Sequence, residues 1–335
     1  MRVGINGMGR VGRAYLRRAL QTSEVEVVAV NDVTDLPTLA HLLRYDSTFG
    51  PFPSDVRVVG DTLEVDGRTI EVSAWTRPKE IPWGDHGVEV VIESTGRFRS
   101  RETAAEHLDS GPATVIVSAP GKELDATIVL GVNDQVFDPA RHHIISNASC
   151  TTNCVAPMVK VLHDAFGIER GFMTTVHAYT NDQNLLDSPH RDLRRARAGA
   201  VNIIPTSTGA ARAVGEVLPE LSGRLDGVSL RVPVTDGSLV DLGVLLDRAA
   251  SADEVNDAFE YAARSGPLTG ILRYADEPLV SSDVILDSAS CVFDSQLTQA
   301  SGRFVKVFGW YDNEWGYTCR LVDLTILVAG GGESG

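Results

Sequence analysis

The chain opens on a short apolar run, Val3 to Asn6, which breaks at a glycine turn and passes into Val11 to Ala19, where apolar residues recur at helical spacing. The pattern then repeats. Val25 to Val30 is a second apolar run ending in Asn31-Asp32. Val56 to Val59, Thr69 to Ser73, Val88 to Ser94, Thr114 to Ser118 and His143 to Ser146 follow as strand candidates, with helical patterns among them. Apolar runs alternating with helices predict a parallel sheet covered on both faces, a doubly wound α/β unit.

After residue 149 the texture changes. Thr151 to Phe166 reads as one helix carrying Val155, Met158, Val159 and Leu162 at helical spacing, and a polar, arginine-rich stretch runs from Thr180 to Ala200. Longer alternating runs come next: Gly171 to Ala178, Val228 to Val234, Leu239 to Leu246 and Arg303 to Trp310. Such strands, with fewer helices between them, predict an α+β domain with a largely antiparallel sheet. The expected organisation is a first domain over 1–149, a second over 150–315, a closing helix over 316–330 packing back on the first domain, and a frayed tail at 331–335.

Composition narrows the functional classes. At 335 residues, 43% hydrophobic and 22% charged, the chain is of ordinary globular make-up and long enough for two domains. A formal net charge of −15 argues against general attraction to nucleic acid or an anionic membrane, so an anionic ligand must be held by clustered arginines. There is no apolar signal core near Met1 and no run of about 18 apolar residues, which leads us to expect a cytoplasmic protein. The four cysteines, Cys150, Cys154, Cys291 and Cys319, suit a reducing compartment. Cys150 and Cys154 lie four apart without a His or Cys cluster nearby, so no metal is expected.

Gly7-Met8-Gly9-Arg10-Val11-Gly12 places a GxGxxG between the first strand and the first helix. Gly7 permits the tight turn, Gly9 a close approach of backbone to a pyrophosphate, and Gly12 close packing of helix on strand, with the helix N-terminus facing the phosphates. Asp32, ending the second strand twenty residues past Gly12, stands where an acid accepts from both ribose hydroxyls. Together these predict a Rossmann-type dinucleotide-binding domain. A carboxylate at 32 would also repel a 2′-phosphate, which favours NAD over NADP.

The second chemical signal is Ser149-Cys150-Thr151-Thr152-Asn153, a cysteine at the start of a helix, where the terminus favours the thiolate. Position alone leaves a buried structural cysteine open as the alternative. His177, at the end of the strand Gly171 to Val176, is the candidate base.

Several blocks in order then carry a resemblance: Ser146-Asn147-Ala148-Ser149-Cys150-Thr151-Thr152-Asn153-Cys154, His177-Ala178-Tyr179-Thr180, Pro205-Thr206-Ser207-Thr208-Gly209-Ala210-Ala211, Leu230-Arg231-Val232-Pro233 and Trp310-Tyr311-Asp312-Asn313-Glu314-Trp315-Gly316-Tyr317. From Arg2 to about Val328 the chain resembles the phosphorylating glyceraldehyde-3-phosphate dehydrogenase family. The resemblance implies oxidation of the triose phosphate with NAD and inorganic phosphate. Cys150 would attack the aldehyde, His177 would lower the thiol pKa and take the hydroxyl proton, and phosphate would cleave the thioester to an acyl phosphate. It implies that Thr180 and Arg231 bind the substrate's phosphate and that Ser149, Thr151, Arg195, Thr208 and Gly209 serve the attacking phosphate. Arg10, Val11, Arg77, Ser94, Thr95, Gly96 and Ser118 are implied as further cofactor contacts, with Asn313 fixing the nicotinamide carboxamide and Tyr317 nearby. A homotetramer with the arginine-rich loop at an interface is implied as well.

Alternatives within this frame are an erythrose-4-phosphate dehydrogenase, which hydrolyses its thioester, and a specialised, inhibitor-tolerant isoenzyme. The chain also departs from the family pattern. Thr235-Asp236-Gly237-Ser238 and Ala300-Ser301-Gly302-Arg303 are expected to alter loops and no chemistry. Ser188-Pro189 carries a small residue where a larger apolar one is common, which leaves room for NADP tolerance.

Overall fold

The computed structural model describes residues 1–330, so the expected tail at 331–335 lies outside the described residues. Two compact units make up the chain. The first comprises Met1–Ile128, Gln135–Ala148 and the stretch from Thr318 on; the second comprises Val129–Asp134 and Ser149–Tyr317. The excursion Val129–Asp134 thus sits with the second unit, whereas the sequence reading has it in the first.

The first unit is built on nine strands: β1 (Arg2–Asn6), β2 (Glu26–Asn31), β3 (Val56–Val59), β4 (Thr62–Val65), β5 (Arg68–Ser73), β6 (Val90–Glu93), β7 (Thr114–Val117), β8 (Ala126–Thr127) and β9 (Ile144–Ser146). Their order is β3-β4-β5-β2-β1-β6-β7-β9-β8. The sheet is mostly parallel. β1 pairs in parallel with β2 on one side and β6 on the other, so the strand order reverses there and a crevice opens beyond the C-terminal ends. Helix α1 (Arg10–Ala19) follows β1, α2 (Leu36–Arg44) follows β2, and α3 (Arg101–Ala105) follows β6. Asp35 caps α2 by accepting from Thr38 N–H at 3.0 Å, with a proline in the first turn.

One edge departs from the parallel expectation, because β3, β4 and β5 form an antiparallel ribbon. Asp66-Gly67, with φ of 49° and 77°, is the two-residue turn that reverses β4 into β5. Neither that turn nor a strand over Thr62 to Val65 figures among the sequence expectations.

The second unit holds α4 (Cys150–Phe166), β10 (Ile168–Ala178), β11 (Ile204–Ser207), α5 (Ala210–Val217), β12 (Leu225–Val232), β13 (Ser238–Leu246), α6 (Ala252–Arg264), β14 (Leu272–Ala275), β15 (Cys291–Asp294), β16 (Gln299–Ser301) and β17 (Phe304–Tyr311). Its sheet runs β11-β12-β10-β13-β17-β15-β14, with β16 on β17. It is largely antiparallel; β10 with β12 and β14 with β15 are the parallel pairs. Along β13, buried residues alternate with partly exposed ones, the signature of a strand with one face in a core. Helix α4 packs on β13, β15 and β17, and Val155, Met158, Val159 and Leu162 are all buried. Each such side chain contributes roughly 1.5–3 kcal/mol. This packing fixes the helix whose first residue is Cys150. The final helix, α7, spans Trp315–Gly330.

Candidate active site

In the first unit, strand β1 stops because Gly7 adopts φ +97°, and a Cβ there would lie 2.8 Å from Thr95 N. Gly12 has a different reason to be glycine. A Cβ on it would come within 2.0 Å of the Gly7 carbonyl oxygen, so α1 can pass this close to the loop only without one. Gly9 stands at the N-cap of α1 and gives it no side-chain cap, so the helix N-terminus, the end that suits an anion, closes the loop. Asp32 accepts from Met8 N–H at 2.7 Å and from Thr34 N–H at 2.9 Å. Its carboxylate therefore braces the glycine loop and still has lone pairs for a diol.

The crevice is lined by Gly7, Gly9, Asp32, Ser94 and Thr95, together with Asn6, Asn31, Trp75 and Phe98, which sequence reasoning did not single out. Two expected cofactor contacts also serve the fold. The Ser94 hydroxyl donates to the Gly7 carbonyl at 2.6 Å, and Thr95 gives its N–H and hydroxyl to the Glu93 carboxylate. Glu93 is fully buried and also accepts from Asn6 Nδ2 at 2.6 Å and His107 Nε2 at 3.1 Å. Gly96, at φ +70°, faces open space. Ser118 is half-buried past the end of β7, and Arg77 is exposed next to Thr76 on the crevice wall. Arg10 pairs with Asp46 and lies over the Phe49 ring.

In the second unit, Ser149 caps α4 by accepting from Thr152 N–H at 3.0 Å, which places Cys150 in the first turn. Cys150 Sγ lies 3.5 Å from His177 Nε2. On the far side of the ring, Nδ1 sits 2.7 Å from the Ala178 carbonyl oxygen, an approach that assigns the ring proton to Nδ1. Nε2 therefore turns a lone pair toward the sulfur.

Arg231 is set beside His177 by the parallel register of β10 and β12. Its Nη1 donates to the same Ala178 carbonyl at 3.0 Å, and its buried Nε has no acceptor among the described residues. Burial, then the Arg231 charge, drive the imidazole down to about 3, so the ring stands neutral and basic only when a proton is pressed on it. The sequence reading expects the histidine to lower the thiol pKa. Instead burial pushes the Cys150 thiol up, and Arg231 is the group that chiefly draws it back.

Two residues missed by sequence reasoning hold this arrangement. The Tyr311 hydroxyl bridges Thr151 Oγ1 at 2.9 Å and Thr175 Oγ1 at 2.8 Å, and its ring meets that of His177 edge to face. Ser238 accepts from Ala178 N–H at 3.1 Å and donates to Asn313 Oδ1 at 2.7 Å, leaving the Asn313 Nδ2 as the donor end of that amide. Their signal lies in register, since Ser238 and Tyr311 are opposite one another on β13 and β17. Tyr317 is buried.

The expected donors for a second anion are partly spent. Ser149 caps α4, Thr151 bonds Tyr311, and Arg195 is held by Asp182, Thr206 and Asp192. Thr208 Oγ1 accepts from Ala210 N–H at 3.2 Å, which leaves its own proton to give, and Gly209 opens on free space at the N-terminus of α5. Thr180 is half-buried two residues past the end of β10. Among the described residues no cluster of His, Cys, Asp or Glu suits a metal, and no helix is long and apolar enough to cross a membrane.

Comparison with known proteins matches residues 1–101 to the family model for the NAD binding domain of glyceraldehyde 3-phosphate dehydrogenase and residues 149–313 to that for its C-terminal domain. A glyceraldehyde-3-phosphate dehydrogenase from Streptomyces coelicolor is 58% identical, with 98% of each chain covered. Glyceraldehyde-3-phosphate dehydrogenase 2 of Streptomyces arenae is 58% identical and the Mycobacterium tuberculosis enzyme 57%, each again with 98% of both chains covered.

Proposed function

The chain belongs to the glyceraldehyde-3-phosphate dehydrogenase family, and from that premise we propose how its own residues carry out the NAD- and phosphate-dependent oxidation of glyceraldehyde-3-phosphate. The observation that carries the reading is the 3.5 Å contact of Cys150 Sγ with His177 Nε2, beside a half-buried arginine whose buried Nε has no acceptor among the described residues.

NAD fits the first unit: the glycine loop and the N-terminus of α1 suit a pyrophosphate, and Asp32 offers acceptors to a ribose. When bound it accepts the hydride. Cys150 attacks the aldehyde carbon as its proton passes to Nε2 of His177; the S–C bond forms, the carbonyl π bond breaks, and His177 hands the proton on to that oxygen to give the hemithioacetal. His177 then takes the hydroxyl proton as the carbon is oxidised, which leaves a thioester on Cys150. A phosphate oxygen attacks the thioester carbonyl, the C–S bond breaks, and the sulfur leaves with the pair of electrons. Arg231 and Thr180 hold the substrate's phosphate, while Arg195, Thr208 and Gly209, with Ser149 and Thr151 framing the thiol, receive the attacking one. Asn313 Nδ2 holds the nicotinamide carboxamide. The first unit is the cofactor half and the second the catalytic half.

We also propose a homotetramer working in the cytoplasm, with no nucleic-acid or membrane partner. Leu185, Leu186, Leu193, Val201 and Ile203 are strongly exposed along and just after the arginine-rich loop, an apolar surface suited to a second copy of the chain. Initial-rate assays with the triose phosphate test the reaction. NADH must form at a rate that depends on added phosphate, and a rate indifferent to phosphate would overturn this reading. A sedimentation mass near that of one chain would overturn the tetramer.

A further inference from the structure

The tetrapeptide Thr235-Asp236-Gly237-Ser238, which departs from the family pattern, contains a group with chemistry of its own. Asp236 is wholly buried and Asp312 is 1% exposed. The register that sets Ser238 opposite Tyr311, with Ser238 bonded to Asn313, brings the turns bearing the two carboxyls together, and each bears on the other's charge. Their other partners are unequal. Asp312 accepts three backbone N–H groups, from Leu286 at 2.7 Å, Glu314 at 2.8 Å and Trp315 at 2.6 Å. Asp236 accepts one, from Gly237 at 2.8 Å, and its Oδ2 receives no N–H or O–H from the described residues. Two adjacent buried carboxylates cannot both be ionised, and the one with three N–H donors keeps the charge. The proton therefore sits on Asp236, and the pair shares it.

This proton joins two segments that are joined a second time by Ser238 Oγ–H donating to Asn313 Oδ1. Asp312 precedes Asn313 in sequence, and Asp236 lies two residues before Ser238. We propose that Asp236 is a positioning residue whose shared proton with Asp312 holds the Asn313 amide in place for the cofactor, so that losing the proton releases that amide and weakens NAD binding. The proposal rests on the reading of Asn313 as the carboxamide partner. Gly237 reinforces the junction, since at φ +82° a Cβ would lie 2.1 Å from the Ser281 carbonyl oxygen.

The charged groups around the pair favour retention of the proton. Glu314 on the same turn adds a like charge, and burial and Asp312 do the rest, so Asp236 is pushed up to about 9. The segment packed over Gly237 carries Asp283, which accepts from Val280 N–H, and Asp287, which is paired with Arg273. Cys150 also faces the pair: an ionised Asp236 would push the thiol further up, whereas the protonated form does not.

The test is NAD affinity between pH 7 and 10, by fluorescence titration of the full-length protein, in wild type, Asp236→Asn, Asp236→Ala and Asn313→Ala. At pH 10 a group titrating near 9 keeps its proton in about a tenth of molecules, so wild-type affinity should fall about tenfold from its neutral value. Asp236→Asn replaces the O–H with an N–H that does not titrate; it should bind normally at pH 7 and stay within about twofold at pH 10. Asp236→Ala, which lacks any donor, should bind weakly throughout, with an intact thermal transition confirming its fold. An infrared difference spectrum of wild type minus Asp236→Asn at pH 7 should show a protonated-carboxyl band. Absence of that band, or equal alkaline loss in wild type and Asp236→Asn, overturns the proposal. If Asn313→Ala leaves NAD affinity unchanged, the reading of Asn313 fails instead, and the infrared band then decides the shared proton alone.

Discussion

Replacing His177 with asparagine separates proton transfer from binding. The substitution removes the Nε2 lone pair that faces Cys150 Sγ at 3.5 Å and the Nδ1–H that bonds Ala178 O at 2.7 Å. Arg231 keeps its own bond to the Ala178 carbonyl at 3.0 Å, so the residue assigned to the substrate's phosphate stays in place. Loss of a positioned general base costs about 10²–10⁴ in rate, or about 3–5 kcal/mol on the barrier. We expect kcat to fall by that amount with KM for the triose phosphate changed by less than about threefold, because a group acting on the proton in the transition state contributes little to ground-state binding. Initial rates of NADH formation, with stopped-flow detection of the first turnover, separate the two constants. A kcat within tenfold of wild type, or a KM that rises in proportion to the loss, would refute the assignment of His177 as the base.

Four other outcomes follow from the same geometry. Arg231→Gln removes the cation that draws the Cys150 thiol down, so alkylation by iodoacetamide at pH 7 should slow, and KM for the triose phosphate should rise by about tenfold or more, the loss of a charge-assisted bond. Ser238→Ala strands Ala178 N–H and frees the Asn313 amide; KM for NAD should rise by about tenfold, read from initial rates at saturating substrate. Asp32→Asn removes the charge that repels a 2′-phosphate, so the ratio of kcat/KM for NADP to that for NAD should increase. The raised Asp236 pKa makes stability a falling function of pH: the folded form takes up a proton between the free-carboxyl range near 4 and about 9. Stability conferred at low pH is therefore lost as pH rises through that window, and the loss should be smaller in Asp236→Asn, measurable by denaturant unfolding at fixed protein concentration.

What was legible in the sequence is local. The glycine loop could be read because each glycine answers a constraint carried within six residues, as the 2.0 Å approach of a Gly12 Cβ to the Gly7 carbonyl shows. Cys150 could be read because its capping serine adjoins it. How the supporting residues meet could not be read, because strand register brings them together. His177 meets Arg231 through the pairing of β10 with β12, and Ser238 stands opposite Tyr311 through that of β13 with β17, contacts 54 and 73 residues apart along the chain. Asp236 reads as a loop acid until the turn at Asp312 is folded against it. The antiparallel ribbon at the edge of the first sheet went unread: Asp66-Gly67 is its turn, but Thr62 to Val65 is only four residues long and its alternation too short to stand out.

The central claim is that oxidation leaves the acyl group on Cys150 until phosphate removes it. A single-turnover experiment without phosphate tests it most directly: the enzyme is mixed with NAD and excess glyceraldehyde-3-phosphate, NADH is followed, and the protein is quenched in acid for mass analysis of its peptides. The account predicts a burst approaching one NADH per chain, an acyl adduct on the peptide bearing Cys150, and prompt loss of the adduct when phosphate is added. No burst, or an adduct on another residue, would contradict it.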